Sequence, residues 1–177
     1  MNRHIFLDLE TLALGSRPAI VQIGLVVFNA ERVIKECNWY VGYTEDIRAG
    51  GEVSEDTKRW WAEPGRDQTP LLTTERVRPG AAVYRAVTDA AARCPVGWWA
   101  NGIDFVWLES MWTRHHPPDM LFPVPYNLRF DMRTLRKTVG RGIEVERDPA
   151  TMHDALQDAL WGARWLQEAH RRLGGVL

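Results

Sequence analysis

Cysteine is scarce in this chain. Cys37 and Cys94 are the only two among 177 residues, and neither sits in a CxxC pair or beside clustered histidines, so the spacing of a zinc site is missing and two ordinary reduced thiols are expected. Long apolar runs are missing too. The longest, such as Ile23 to Phe28, fall far short of the roughly 20 residues that cross a bilayer, which excludes a helical membrane span. Charge of one sign is not in excess: the net charge of -1 announces no polyanionic partner, so any nucleic-acid site must be local. Internal repeats and low-complexity segments are absent. The opening residues Met1-Asn2-Arg3-His4 run into Asp8 and Glu10 within what would have to be the apolar core of a signal peptide, which points to a cytoplasmic protein.

What is present suits one folded domain spanning residues 1–177. Hydrophobic residues make up 45% and charged residues 25%, an ordinary globular balance and too apolar for disorder. The length buries a core without staples. Positive charge gathers in one segment, Arg129, Arg133, Arg136, Lys137 and Arg141, interrupted only by Asp131, and again at Arg164, Arg171 and Arg172. Such runs are either solvated faces or phosphate contacts.

Three strands are expected first, Arg3 to Leu9, Ala19 to Phe28 and Val33 to Val41, with Asn29-Ala30-Glu31 as the turn between the last two. Short connections make them an antiparallel meander. Ser54 is placed as N-cap of a helix through Trp61, with Val53, Thr57, Trp60 and Trp61 as its apolar stripe and Pro64-Gly65 beyond it. Then follow a helix from Gly80 to Arg93, a short strand from Val96 to Ala100, and a helix from near Asp104 that His115-His116-Pro117-Pro118 stops. A short strand ends near Phe130, Asp131 caps a helix through Val139, and a helix runs from Asp154 to about Leu173. The polar segment from Arg141 to Thr151 reads as a loop beside the site. A meander followed by alternating helices and strands gives an α/β fold, a mixed central sheet flanked by helices.

Asp8 and Glu10 are two residues apart, so on a strand both carboxylates leave the same face. Buried side by side they are costly unless they share protons or bind a cation. In His153-x-x-x-x-Asp158, five helical residues turn about 500°, so the two side chains cannot share a helix face. His153 must therefore precede the helix that Asp154 caps, with Gln157 three residues on, and Asp158 lies on its first inward turn. A histidine over an acid fixed by a helix is a suitable general base. Asp104 stands where a strand end meets a helix start, the place where ligands collect in α/β sheets. Each feature alone has a plain alternative: strand-end acids facing water, a surface histidine, a helix cap.

Together, D-L-E-T followed by A-I-V-Q-I-G, a mid-chain S-x-x-T-x-x-W-W, D-M-R-T-L and H-D-A-L-Q-D-A resemble the DEDDh 3'-5' exonucleases of the ribonuclease H-like superfamily over nearly the whole chain, most closely the phage and prophage exodeoxyribonuclease VIII-like type. The resemblance implies a ribonuclease H-like three-layer fold. It implies that Asp8, Glu10, Asp104 and Asp158 hold two Mg²⁺ or Mn²⁺ ions about 3.5 to 4 Å apart, with His153 taking the proton of the attacking water. Thr11 and Leu12 fall where the family's backbone meets the 3'-terminal sugar. The second motif departs from the family, with Ile103 in place of the aromatic before the aspartate and Asn101 only three residues before Asp104. Trp60 and Trp61 are candidates to stack on bases and Arg133 to reach a phosphate. The expected substrate is single-stranded or 3'-overhang DNA or RNA, released as 5'-mononucleotides. The rival readings are a non-catalytic nucleic-acid-binding module, a ribonuclease H-like endonuclease, and a phosphatase using the same metals. Exposed tryptophans are a possible homodimer face.

Overall fold

The computed structural model describes residues 2–93 and 95–177. Met1 and Cys94 lie outside the described residues, and the reading of Cys94 as a reduced thiol with them. Cys37 is a free thiol.

The chain begins with β1 (His4–Thr11), β2 (Ile20–Phe28) and β3 (Val33–Tyr40), followed by the short helices α1 (Tyr43–Arg48), α2 (Glu55–Trp61) and α3 (Thr69–Leu72). Next come α4 (Pro79–Ala91), β4 (Gly97–Ala100), α5 (Asp104–His115), β5 (Arg129–Asp131), α6 (Met132–Val139) and α7 (Ala155–Leu173). The sheet order is β3-β2-β1-β4-β5. β2 is antiparallel to β1 and β3, whereas β4 runs parallel to β1 and β5 parallel to β4. The expected mixed sheet flanked by helices is therefore what forms.

Period-two alternation sorts the central strand between two cores. Ile5, Leu7 and Leu9 face one side with Ile23, Leu25 and Val27, and meet Val83, Ala86 and Val87 of α4 and Leu108 and Met111 of α5. Phe6, Val26 and Phe28 face the other and meet Ala159, Leu160, Ala163 and Leu166 of α7. Asp8 and Glu10 share the parity of Phe6, so their side chains emerge on the α7 face. Every residue of β1 and β2 is buried, as befits strands covered on both faces. A third, smaller cluster of Leu12, Ala19, Val21 and Trp61 seats α2 below the end of β1.

Two glycines let α7 approach closely. A Cβ on Gly24 would lie 2.1 Å from the Ala155 carbonyl carbon, and one on Gly162 would lie 2.3 Å from the Phe6 ring. Glycine inside a helix or strand costs roughly 0.5–1 kcal/mol relative to alanine, and here that cost is offset by contact between helix and sheet.

Boundaries differ from the expected ones by one or two residues. β1 continues to Thr11 past a register shift after Glu10, and α4 starts on Pro79, whose missing N–H is harmless in a first turn. Ser54 stands at the expected N-cap, but its hydroxyl makes no cap hydrogen bond. Asp131 and Asp154 do cap, accepting from the N–H groups of Arg133 and Gln157 at 2.9 Å. None of the nine tryptophans is exposed; the exposed large aromatics are Tyr84, Tyr126 and Phe130. Six of the rings are buried, and Trp39, Trp60 and Trp161 are partly buried. No helix among the described residues is long and apolar enough to cross a membrane.

Candidate active site

Because β1, β4 and β5 are parallel, their carboxyl ends open at one edge of the sheet. A cleft of about 620 Å³ lies there, and its lining includes Asp8, Glu10, Asp104, His153 and Asp158. β1 contributes Asp8 and Glu10, the turn after β4 contributes Asn101, the first residue of α5 is Asp104, and the start of α7 contributes Asp158, with His153 just ahead of it.

All four carboxylates are buried. Asn101 links two of them: its side-chain amide donates to Asp8 Oδ1 at 3.1 Å and its backbone N–H donates to Asp104 Oδ2 at 3.1 Å. On the opposite side, Glu10, His153 and Asp158 each offer a donor atom within 4.8 Å of the others. Arg147 forms an ion pair with Asp158 Oδ1, and the His153 N–H donates to Asp158 Oδ2 at 3.4 Å. His153 has φ +67°, the one non-glycine in the left-handed region among the described residues. This backbone places the imidazole over the acids before the helix begins, so the expectation that His153 precedes the helix matches what forms.

Burial and mutual repulsion set the electrostatics. Loss of hydration, then the charges of Asp104, Glu10 and Asp158, push Asp8 well above the usual carboxylate range. Burial, with Asp158 and Asp104 after it, does the same to Glu10. Burial pushes Asp104 up to about 7 against the opposing Asn101 N–H and the Arg133 charge. His153 is lowered, chiefly by burial, which keeps its ring neutral and able to accept a proton. Four buried carboxylates, of which Asp158 is paired with Arg147, are an oxygen-only donor set for hard divalent cations, and the residues fit such ions.

Of the expected substrate contacts, Thr11 and Trp60 line the cleft, as does the exposed Arg133. Trp60 packs edge-on against His153 with centroids 4.7 Å apart, under the guanidinium of Arg66 at 3.6 Å. Trp61 and Leu12 are elsewhere. Trp61 is 1% exposed and donates from Nε1 to the Thr11 carbonyl at 3.0 Å, so it offers no ring face to a base and instead fixes the end of β1. Leu12 is buried, its N–H donating to Ala19 O at 2.9 Å and its carbonyl accepting from Ser54 N at 2.8 Å, which leaves a sugar only the second lone pair of that carbonyl.

Sequence reasoning missed Arg147, Trp161 and Gln22. Gln22, fully buried, clamps the start of α7: its amide donates to Asp154 Oδ2 at 2.9 Å and accepts from the Ala155 N–H at 3.2 Å. A polar residue inside the apolar run Ala19-Ile20-Val21-Gln22-Ile23 was a signal for it; a lone arginine in a polar loop was none.

Residues 3–170 match the 3'-5' exoribonuclease Rv2179c-like domain. The chain belongs to that family. It is accordingly a 3'-5' exonuclease with a ribonuclease H-like fold. Among solved structures, the family member resembles S. pombe Pop2p in its Mg²⁺- and Mn²⁺-bound form, with a TM-score of 0.65, 15% identity, and coverage of 98% of this chain and 85% of that one. It also resembles exonuclease I in its apo form, with a TM-score of 0.65 and 15% identity over 99% of this chain and 43% of that chain. For E. coli exonuclease I in complex with a dT13 oligonucleotide the TM-score is 0.56 at 13% identity, over 97% of this chain and 42% of that chain. The chain thus spans less than half the length of exonuclease I, and at these identities the likeness is one of fold. Among curated proteins none matches.

Proposed function

We propose that this chain removes 5'-mononucleotides from the 3' end of single-stranded or 3'-overhang nucleic acid by a two-metal mechanism, with RNA the favoured polymer because the family is described by exoribonuclease activity. The observation that carries the reading is the convergence of four buried carboxylates and one histidine in a single open cleft. Asp8, Glu10, Asp104 and Asp158 would hold two Mg²⁺ or Mn²⁺ ions, which when bound supply a lowered water pKa and charge neutralisation at the leaving 3'-oxygen. Pop2p, a fold neighbour, was solved with both of those metals.

His153 takes the proton of the attacking water, its neutral ring being favoured by burial. Trp60 holds that ring from the side. Asn101 keeps Asp8 and Asp104 apart at fixed geometry. Thr11 meets the terminal sugar, and Arg133 contacts the phosphate. The phage and prophage exonuclease VIII-like subtype rests on the sequence motifs alone.

Digestion of matched RNA and DNA oligonucleotides tests the reading. A 5'-labelled strand should shorten as a ladder in Mg²⁺ or Mn²⁺, while a 3'-phosphorylated strand resists because its extra charge meets Glu10. Cutting of a closed circular single strand would move the activity to an endonuclease.

A further inference from the structure

The arginines that line the cleft stand together on one side of it. On the α2 side stand Asp56 and Trp60; on the α6–α7 side stand Arg133, Arg136, Arg147 and Trp161. A second groove of about 460 Å³ adjoins the cleft on this basic side and shares Arg136 and Trp161 with it. We propose that this groove is a subsite for the polymer's sugar-phosphate backbone upstream of the scissile bond, the path by which a strand with its 3' end in the cleft leaves the protein. The proposal rests on the function above and adds the direction of the strand and the residues that hold it.

Arg136 and Trp161 make the lip between the two spaces. The Arg136 guanidinium lies 4.8 Å over the Trp161 ring and 5.9 Å from Trp165, and that of Arg147 lies 5.1 Å over Trp161. Both indoles are pinned by their N–H groups, Trp161 to Val145 O at 3.1 Å and Trp165 to Ile143 O at 3.3 Å, so the floor is rigid. A guanidinium stacked by its face keeps its N–H edge free, and that planar edge fits phosphate oxygens two at a time. Arg147 is committed to Asp158, but Arg136 is exposed and makes no ion pair among the described residues. Glu144 and Glu146 on the far wall are exposed carboxylates that repel phosphate. The backbone is thereby confined to the Arg136 side of the groove.

The test is the affinity of 5'-fluorescein-labelled single strands of two to eight nucleotides for the Asp8→Asn protein in Mg²⁺, read by anisotropy. Affinity should rise about tenfold or more with length as each added phosphate reaches the groove. Arg136→Gln should cut that gain to about twofold and lower the salt slope by about one. Glu144→Lys, which removes repulsion without touching a stacked ring, should tighten the longer strands about threefold and leave the dinucleotide alone. If Arg136→Gln keeps the full gain with length, or Glu144→Lys changes nothing, the strand leaves by another route and the proposal is wrong. Failure of the wild-type protein to shorten any oligonucleotide would instead overturn the catalytic reading, and the length-dependent binding would still decide the groove.

Discussion

Gly24 and Ala155 meet backbone to backbone, with no room for a Cβ on the strand residue. Gly24 is also the β2 partner of Asp8 in the β1–β2 ladder. Contact between helix and sheet thus occurs one strand away from the first acid, and it sets how far His153 and Asp158 stand from Asp8 and Glu10. Gly24→Ala must lift the start of α7. Overpacking of this kind costs about 1–3 kcal/mol, and the catalytic loss should exceed what stability explains: kcat falling about a hundredfold or more, in line with an ångström-scale misplacement. Melting and steady-state kinetics on the same preparation check this; an active, merely less stable variant would show that α7 is not positioned there.

Asp8→Asn, Glu10→Gln, Asp104→Asn and Asp158→Asn should each lower turnover by orders of magnitude. Removing repulsion among buried acids should leave the melting temperature in EDTA equal or higher for Asp8→Asn, Glu10→Gln and Asp104→Asn, whereas Asp158→Asn also gives up the Arg147 ion pair. Any one of these variants with near-wild-type activity in Mg²⁺ would lose its place as a ligand.

Stability of the metal-free protein should fall as pH rises. Asp8, Glu10 and Asp104 are all raised, first by burial and then by neighbouring carboxylates that include Asp158, Asp104 to about 7. Between the ordinary carboxylate value near about 4 and about 7, the folded protein keeps protons that the unfolded chain has lost. The stabilisation is therefore full below the unfolded value and disappears as pH climbs through the folded one. Melts in EDTA across pH 5 to 8 should show this slope, and Mn²⁺ added at pH 8 should reverse it.

His153→Ala should cost about 10²- to 10⁴-fold in kcat with Mn²⁺ affinity largely kept. The atoms of Glu10, His153 and Asp158 lie close enough for the imidazole to be a ligand instead. Calorimetric titration with Mn²⁺ separates the roles, because a tenfold loss of affinity would assign His153 to the metal.

Asp46 is a structural acid remote from the cleft and wholly buried. Burial alone would raise its pKa. Hydrogen bonds from His115 at 2.7 Å and Arg114 at 2.9 Å, the Arg114 charge, and the Ile20 N–H at 3.1 Å outweigh that and lower it. Its contribution is present above the unfolded carboxylate pKa and is lost as pH falls through the depressed folded value. Asp46→Ala should destabilise by about 3–5 kcal/mol, since it strands a buried arginine, and urea unfolding measures it.

The strands at the start of the chain were legible because alternation and turn residues act locally, and the Asp8–Glu10 pair because strand parity needs no tertiary information. That His153 precedes α7 was legible through helix geometry alone. Helices α1 and α3, six and four residues long, carry too little periodicity to stand out. The burial of the Leu12 side chain beside Trp61 was not legible, because the register shift after Glu10 breaks the alternation that earlier residues obey. Arg147 was missed because its partner, Asp158, is chosen by how a polar loop folds back over α7, and nothing local in residues 141–148 marks which side chain turns inward.

The Gln22 clamp joins residues 133 positions apart, and this has a bearing on biosynthesis. A nascent chain can pair β1 with β2 while it is still on the ribosome, displaying Asp8 and Glu10 without His153 or Asp158. One of the four acids, Asp158, and the base His153 arrive only when α7 emerges and docks. The cleft is thus completed only once α7 has docked, long after its first two acids have been made.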